Sequence, residues 1–481
     1  MLDSLLAKEE WRKYQLLRQL ERSSYFALSK KEIMDHLEIS NYVLKSTIEQ
    51  LIQDLEKYGL AQEIHVFLEE PFVQLEITGT ASSETLLEKY VEESIGFNIL
   101  LRAVLGNFKS LNEFSEKSMI SYPIAYNNYK LLNKYLAKYE MTIDKKFRVS
   151  GENEKNIRLF LTELFSRVYK GRCQIFDQSK DGHIQAKQMT LEDGKMTIHQ
   201  RIGLQHYLHI TNLRIKQRKF VERQTADVLS REAIKQAMEE SFFERVPIES
   251  REAEVIAFLN YYYSRSEELS KNLRLNANKQ IMTWSKNLLT SLIQYFPKLI
   301  ESPEKYECFL MRSHILHFQL KEVSQASETL QPEINIAYFQ QNYPTILKFC
   351  RVYVKQLQEK ESELYKKKKQ VLFQYLFQYL FLILDSFPKD VLVEPINVYV
   401  DFSFGSLYNQ FITENLNFFH LVGAKIITDV EAADILLTDS RDLGNAYHID
   451  CVVWLSPPRP LDWANLGQKI IQKRTEKSNM T

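Results

Sequence analysis

Two pairs of histidines carry the clearest capacity for chemistry: His206 and His209 in LQHYLHITNLRIKQRKF, and His314 and His317 in FLMRSHILHFQL. Each pair is spaced i, i+3, which puts both imidazoles on one face of a helix. An imidazole nitrogen can ligate a metal, or it can accept a phosphoryl group and gain about two negative charges beside Arg214 or Arg312. Zinc would want a third histidine or a carboxylate at similar spacing; neither is present, so no metal and no cofactor is expected. Structural histidines packed between helices and phosphoryl acceptors are the two readings left. A second place for chemistry is DFSFGS, residues 401–406, which follows the strand-like INVYV where α/β folds put phosphate-binding or catalytic loops. Its hydroxyl nucleophiles, Ser403 and Ser406, lack an evident general base. No catalytic residue is expected, and the chain does not read as an enzyme.

A third group points to a polyanion. Residues 101–150 hold Arg102, Lys109, Lys117, Lys130, Lys134, Lys138, Lys145, Lys146 and Arg148 against Glu113, Glu116, Glu140 and Asp144. The whole chain is balanced, with 62 Lys plus Arg and 62 Asp plus Glu, so affinity for nucleic acid must come from local clustering. Tyr122, Tyr126, Asn127, Asn128 and Lys130 would line the start of a helix, with Lys145, Lys146 and Arg148 on a following hairpin, as phosphate contacts require.

What must position these residues shows best in EISNYVLKSTIEQL, residues 38–51, where one helical pattern stops and another starts without Gly or Pro between them. Ser29 can cap a short helix with Ile33, Met34 and Leu37 on one face. After Ile39, Ser40 can cap a longer helix whose core face is Leu44, Ile48, Leu51, Ile52 and Leu55, up to Gly59. So short a turn predicts a helix-turn-helix, whose second helix enters the DNA major groove. Its outward residues Asn41, Tyr42, Lys45, Ser46 and Glu49 would reach base edges or phosphates. AQEIHVFLEEPFVQLEITG then predicts two strands around a Glu-Glu-Pro turn, a wing. The order returns over 111–151: short helix, Ile120-Ser121 turn, long helix with Pro123 in its first turn, and a shorter hairpin closing at Gly151 as the first closes at Gly79.

At 481 residues the chain predicts several domains, and its 44% hydrophobic and 26% charged residues with few Gly or Pro exclude a disordered chain. Cys173, Cys308, Cys350 and Cys451 form no CxxC pair and read as buried thiols in a reducing cytoplasm. MLDSLLAKEEWRKYQLL lacks the apolar stretch of a signal peptide, and the apolar run Val371–Leu384 is too short and too rich in glutamine to span a bilayer. A buried core helix is expected there, and no membrane association. From about 153 to 393 the pattern is helical, in two units, with a polar Gly-containing loop at 178–196 and turns near Pro297 and Pro344. After Pro395, strands and helices alternate, which implies a small parallel α/β domain.

This order of parts resembles the Mga/AtxA-like transcription and virulence regulators of Gram-positive bacteria, and among them the Mga-like global regulators of enterococci and streptococci. The resemblance covers nearly the whole chain and rests on the paired winged helices closing in EITG and RVSG, the following GENEKNIRLFLTEL, the two histidine-bearing helical units and the α/β end. It implies a multidomain, mainly α architecture: two winged helix-turn-helix modules over 1–80 and 81–152, PRD-like helical domains of the sugar phosphotransferase system (PTS) over 153–285 and 286–393, and a small PTS IIB-like α/β domain over 394–481. It further implies a cytoplasmic regulator that binds double-stranded DNA, forms a homodimer or higher oligomer through the PRD-like and IIB-like domains, and is phosphorylated on histidine by PTS phosphocarrier proteins. His209 and His314 best match the family's acceptors, with His206 and His317 next. A IIB domain carries a phosphoryl-accepting cysteine in the loop after its first strand; DFSFGS has none, so the resemblance implies an interaction module that has lost phosphotransfer. Few base-reading side chains besides Asn41, Asn127 and Asn128 predict shape-dependent readout of modest specificity. Two other classes compete: a PRD-containing RNA-binding antiterminator, though RNA readers favour small β folds and stacking platforms, and a PTS phosphotransfer protein, which the missing cysteine disfavours.

Overall fold

The computed structural model describes residues 5–23, 25–170, 196–223, 226, 228–265, 278–322, 336–360, 369–393, 395–418 and 423–480. The Gly-containing loop expected at 178–196 lies outside them except for Met196, and so does Cys173. The chain divides into two compact units, Met1–Arg274 with Glu322–Leu330, and Leu275–Lys321 with Gln331–Thr481.

The first unit opens with α1 (Lys8–Arg22), which buries Tyr14, Leu16, Leu17 and Leu20. β1 (Ala27–Ser29), α2 (Lys30–Leu37) and α3 (Asn41–Lys57) follow, and β2 (Ile64–Glu69) with β3 (Phe72–Ile77) forms an antiparallel hairpin that β1 extends on the β3 side. Ser29 and Glu32 make a reciprocal capping box, the Glu32 carboxylate accepting from the Ser29 N–H at 2.9 Å. Glu38 then ends α2 at φ 53°, ψ 48°, the left-handed region where glycine is usual. Ser40 restarts the helix, its Oγ accepting from the Val43 N–H at 3.4 Å. Leu44, Ile48, Leu51 and Leu55 are buried as expected, together with Thr47. Ile52 is exposed instead, because one residue beyond Leu51 is about 100° further round the helix.

The same backbone is built again. After α4 (Ser83–Glu93) and α5 (Ile95–Leu105) come α6 (Leu111–Lys117), α7 (Tyr122–Leu136) and the hairpin β4 (Met141–Ile143) and β5 (Val149–Gly151). Met119 at φ 53° takes the place of Glu38, and Glu140 at φ 59° takes the place of Gly59 at φ 69°. Left-handed residues thus recur at matching turns whatever their side chain. A left-handed L-residue costs about 1–2 kcal/mol, so Glu38→Gly is expected to raise the stability of the first unit by about 1 kcal/mol. Gly59→Ala is expected to lower it by a similar amount through backbone strain alone, since a Cβ there meets nothing within 4 Å. Denaturant midpoints of the two variants check both signs.

Four helices complete the described part of this unit: α8 (Glu154–Tyr169), α9 (Ile198–Lys216), α10 (Arg231–Met238) and α11 (Ile248–Arg265), with α8 against α9 and α10 against α11. In the second unit, α12 (Lys279–Tyr295), α13 (Tyr306–Glu322), α14 (Ile336–Asn342), α15 (Pro344–Lys360), α16 (Lys369–Ser386) and α17 (Lys389–Leu392) surround one apolar core. Tyr375, Tyr379, Leu380 and Ile383 of the long apolar run are buried in it. Among the described residues no helix is long and apolar enough to cross a membrane. The division between the units precedes α12, so the limit read from sequence at 285/286 falls inside that helix. β6 (Ile396–Val400), α18 (Ser406–Phe418), β7 (Ala424–Ile427), β8 (Ile435–Thr438), α19 (Arg441–Tyr447), β9 (Asp450–Val453) and α20 (Pro460–Met480) end the chain, with four parallel strands in the order β7-β6-β8-β9. The expectation of buried thiols needs correction: Cys350 is buried, but Cys451 is half-buried and Cys308 is exposed on the outer side of α13, next to the buried Phe309.

Candidate nucleic-acid interface

Ser121 is the N-cap of α7 and Pro123 lies in its first turn, where a missing N–H costs nothing. The first two turns present Tyr122 and Tyr126 half exposed and stacked, with ring centroids 6.1 Å apart. Asn127 and Lys130 are exposed beside them. Asn128 is less open, and its amide donates to the Ile124 carbonyl at 2.9 Å, so part of its donor capacity is spent inside the helix.

The hairpin that follows is braced against α7. Tyr129 Oη donates to the Ile143 carbonyl at 3.1 Å, while the Ile143 N–H and Thr142 Oγ1 donate to Asn133 Oδ1 at 2.7 and 2.8 Å. At the tip, the Asp144 carboxylate accepts from the N–H groups of Lys146 and Arg148 at 2.8 and 3.0 Å. Phe147, at φ 55°, packs on Phe108 and Tyr129, with centroids 4.6 and 6.1 Å away. Lys145, Lys146 and Arg148 are left exposed on a turn whose backbone is already fixed. Asn133, Asp144 and Phe147 were not singled out in the sequence, although an aspartate opening a turn and a lone aromatic among cations were the available signals.

In the first module, Asn41, Tyr42 and Lys45 are exposed at the start of α3, Tyr42 to 83%. Ser46 is half-buried and accepts from Gln50 Nε2 at 3.3 Å. The first hairpin differs sharply from the second. Residues 60–79 contain Glu63, Glu69, Glu70 and Glu76 and no Lys or Arg. Glu63 is used internally, accepting from the Ala81 N–H at 2.9 Å, and Glu70 pairs with Lys30. Phe67 and Phe72 are exposed on the outer side of this sheet. Like charge makes such a hairpin a poor neighbour for phosphates.

Repeated helix-turn-helix units with one basic face define the class of a helix-turn-helix DNA-binding protein. Residues 79–165, from the turn before α4 into α8, match the family described as the Mga helix-turn-helix domain. The match covers this segment alone and supports a helix-turn-helix DNA-binding role in transcription regulation. No curated protein matches the chain.

The paired histidines lie on other helices than α3 and α7. His206 and His209 are buried on α9, and His206 Nδ1 sits 3.2 Å from Ser166 Oγ on α8 and 3.1 Å from the Ile202 carbonyl. In the second unit, His317 Nδ1 is 2.7 Å from Ser285 Oγ on α12, and its Nε2 is 3.0 Å from Tyr379 Oη. A serine on one helix meets a histidine on the next described helix in both units, which makes His206 the counterpart of His317 and leaves His209 and His314 unmatched. His314 is half-buried, and its Nε2 is buried without a hydrogen-bond partner. Burial and then Lys286 lower its pKa. Arg214 is fully buried against Glu154, and Arg312 pairs with Asp385, so neither arginine stands ready for a phosphoryl group in this conformation. His199, in the first turn of α9, is exposed.

Burial, and then the neighbouring histidine, push His206 down to about 4 and His317 down to about 3. Both are neutral in the fold, whereas an unfolded imidazole takes up its proton near pH ~6.5. Stability from these groups is therefore complete above that pH and is lost as pH falls toward the folded values, by at most about 1.4 kcal/mol per pH unit for each histidine. Denaturant midpoints are expected to drop between pH 6.5 and 4, and His317→Gln is expected to flatten the second unit's share of the drop; an unchanged pH profile would count against the assignment.

The loop after β6 is already filled. The Ser403 N–H lies 3.2 Å from both oxygens of Asp439, at the end of β8, and the Ser403 hydroxyl bonds the same carboxylate. The Phe402 N–H donates to Asn409 Oδ1 at 2.8 Å. A protein carboxylate holds the amide that a phosphate would use.

Proposed function

We propose that this chain regulates transcription by gripping duplex DNA with both helix-turn-helix modules, the second module supplying most phosphate contacts. Lys130, Lys145, Lys146 and Arg148 meet the backbone, Tyr122, Tyr126, Asn127 and Asn128 enter the groove from α7, and Asn41, Tyr42, Lys45 and Ser46 do so from α3. The fixed basic tip around the inward Phe147 is the observation that carries this reading. With few base-reading side chains, specificity comes largely from DNA shape. The modules extend over 1–80 and 81–152. The helical region from 153 to the start of α12 and the one from α12 to 393 act as PRD-like regulatory domains, a view supported by their recurring Ser–His pair, and 394–481 is a IIB-like interaction module without phosphotransfer. Homodimers or larger assemblies form through these regions in the cytoplasm, and PTS phosphocarriers act at His209 or His314 once the helices part.

Competition between a labelled duplex and single-stranded RNA tests the class of partner. Duplex is expected to win at every salt concentration; equal preference for RNA would favour an antiterminator-like protein. The acidic hairpin gives a sharper check, since Glu69, Glu70 and Glu76 changed together to Ala are expected to leave duplex affinity undiminished or raise it. A fall would place the first hairpin in the interface.

A further inference from the structure

Beneath the β4–β5 hairpin lies a buried charged network. Glu154 at the start of α8, Arg158 one turn on, Arg214 in the last turn of α9 and Glu254 on α11 are all at most 5% exposed. Glu154 receives Arg214 through two bonds, Nε to Oε1 at 2.8 Å and Nη2 to Oε2 at 2.6 Å. Arg158 holds Glu254 in the same two-pronged way, at 2.5 and 2.9 Å, and its Nε reaches Glu154 at 3.1 Å. Burial opposes the charge on Arg158, but Glu254 beside it more than offsets this and raises its pKa above the ordinary guanidinium value. Buried ion pairs are often no more stabilising than apolar packing, so stability alone is a poor reason for four buried charges.

Geometry supplies a better one. The remaining arm of Arg214, Nη1, donates to the Val149 carbonyl at 2.8 Å. Val149 is the β5 residue paired with Ile143 of β4, and it directly follows Arg148 of the exposed tip. Gln217, just past α9, donates from Nε2 to the Val104 carbonyl of α5 at 2.8 Å. The end of α9, the helix that bears His206 and His209, therefore holds the second module at two points.

We infer that Arg214 is a positioning residue for the basic hairpin: its bond to Val149 sets the angle of the tip against α7, so that a displacement of α9 changes the grip on phosphates. This rests on the reading of the hairpin as a phosphate grip. Arg214→Lys keeps a charge facing Glu154 but cannot make the paired bonds and the third together. The full chain carrying it is expected to bind duplex about tenfold more weakly, with a shallower salt dependence. Glu254→Gln loosens the far end of the network without touching the Val149 bond, and is expected to bind within about twofold of the unaltered chain. A measurement on the unaltered chain needs no variant: in native-state hydrogen exchange without DNA, the β4–β5 amides and the last turn of α9 are expected to open with the same free energy. Equal losses of affinity in both variants, unaltered binding by Arg214→Lys, or hairpin amides that open independently of α9 would each overturn the inference. Failure of the unaltered chain to bind duplex would instead sink the phosphate-grip reading, while the exchange result would still decide the anchoring.

Discussion

Lys145, Lys146 and Arg148 changed together to alanine are expected to weaken duplex binding about 100-fold at 0.15 M salt and to reduce the slope of log affinity against log salt by about 2 to 3. Each phosphate contact releases counterions worth about 0.9 in that slope, and the three cations are exposed and held at one tip. The fold should survive, because the turn depends on the Asp144 carboxylate, the inward Phe147 and the Asn133 brace, none of which changes. Affinity and slope are expected to fall equally on random-sequence and AT-rich duplexes, since phosphate contacts carry no sequence information. A lower affinity with an unchanged slope would mean that the tip acts by some route other than charge.

The second large effect concerns stability. Glu154→Ala strips Arg214 of its paired carboxylate and Arg158 of one partner, leaving a guanidinium uncompensated inside the first unit. Breaking one side of such a buried pair costs about 3–5 kcal/mol. Glu154→Gln, which keeps one acceptor oxygen and the side-chain volume, is expected to cost less. Thermal unfolding should show the transition of the first unit shifted well down in the alanine variant and the second unit's transition in place. A loss under about 1 kcal/mol would show that water reaches the network and that the charges are not sealed in.

How far the sequence revealed these features depended on how local their causes are. The caps at Ser29 and Ser40, the restart between them and the repeat at Ser121 each come from residues within a turn of one another, and they were legible. So was the alternation that gives four parallel strands after Pro395. The left-handed conformation of Glu38 explains why glycine would suit that turn, and nothing in the apolar pattern announces it. The bracing of the hairpin by Asn133, the Ser166–His206 and Ser285–His317 pairs, and the bond from Arg214 to Val149 were not legible, because each joins residues on different elements that only packing brings together. Ile52 and Cys308 show the limit of apolar pattern alone, since one step along a helix separates a core position from an exposed one. The acidity of the first hairpin was plainly written in the sequence, but its meaning emerged only beside the basic tip of the second.

Hydrogen exchange of the unaltered chain, with and without a saturating duplex, tests most directly whether the second module is the DNA grip. Slowed exchange at the start of α7 and across residues 144–148, with no change in the β2–β3 hairpin, is the predicted result. Protection confined to the first hairpin, or absent from both the start of α7 and the basic tip, would contradict it.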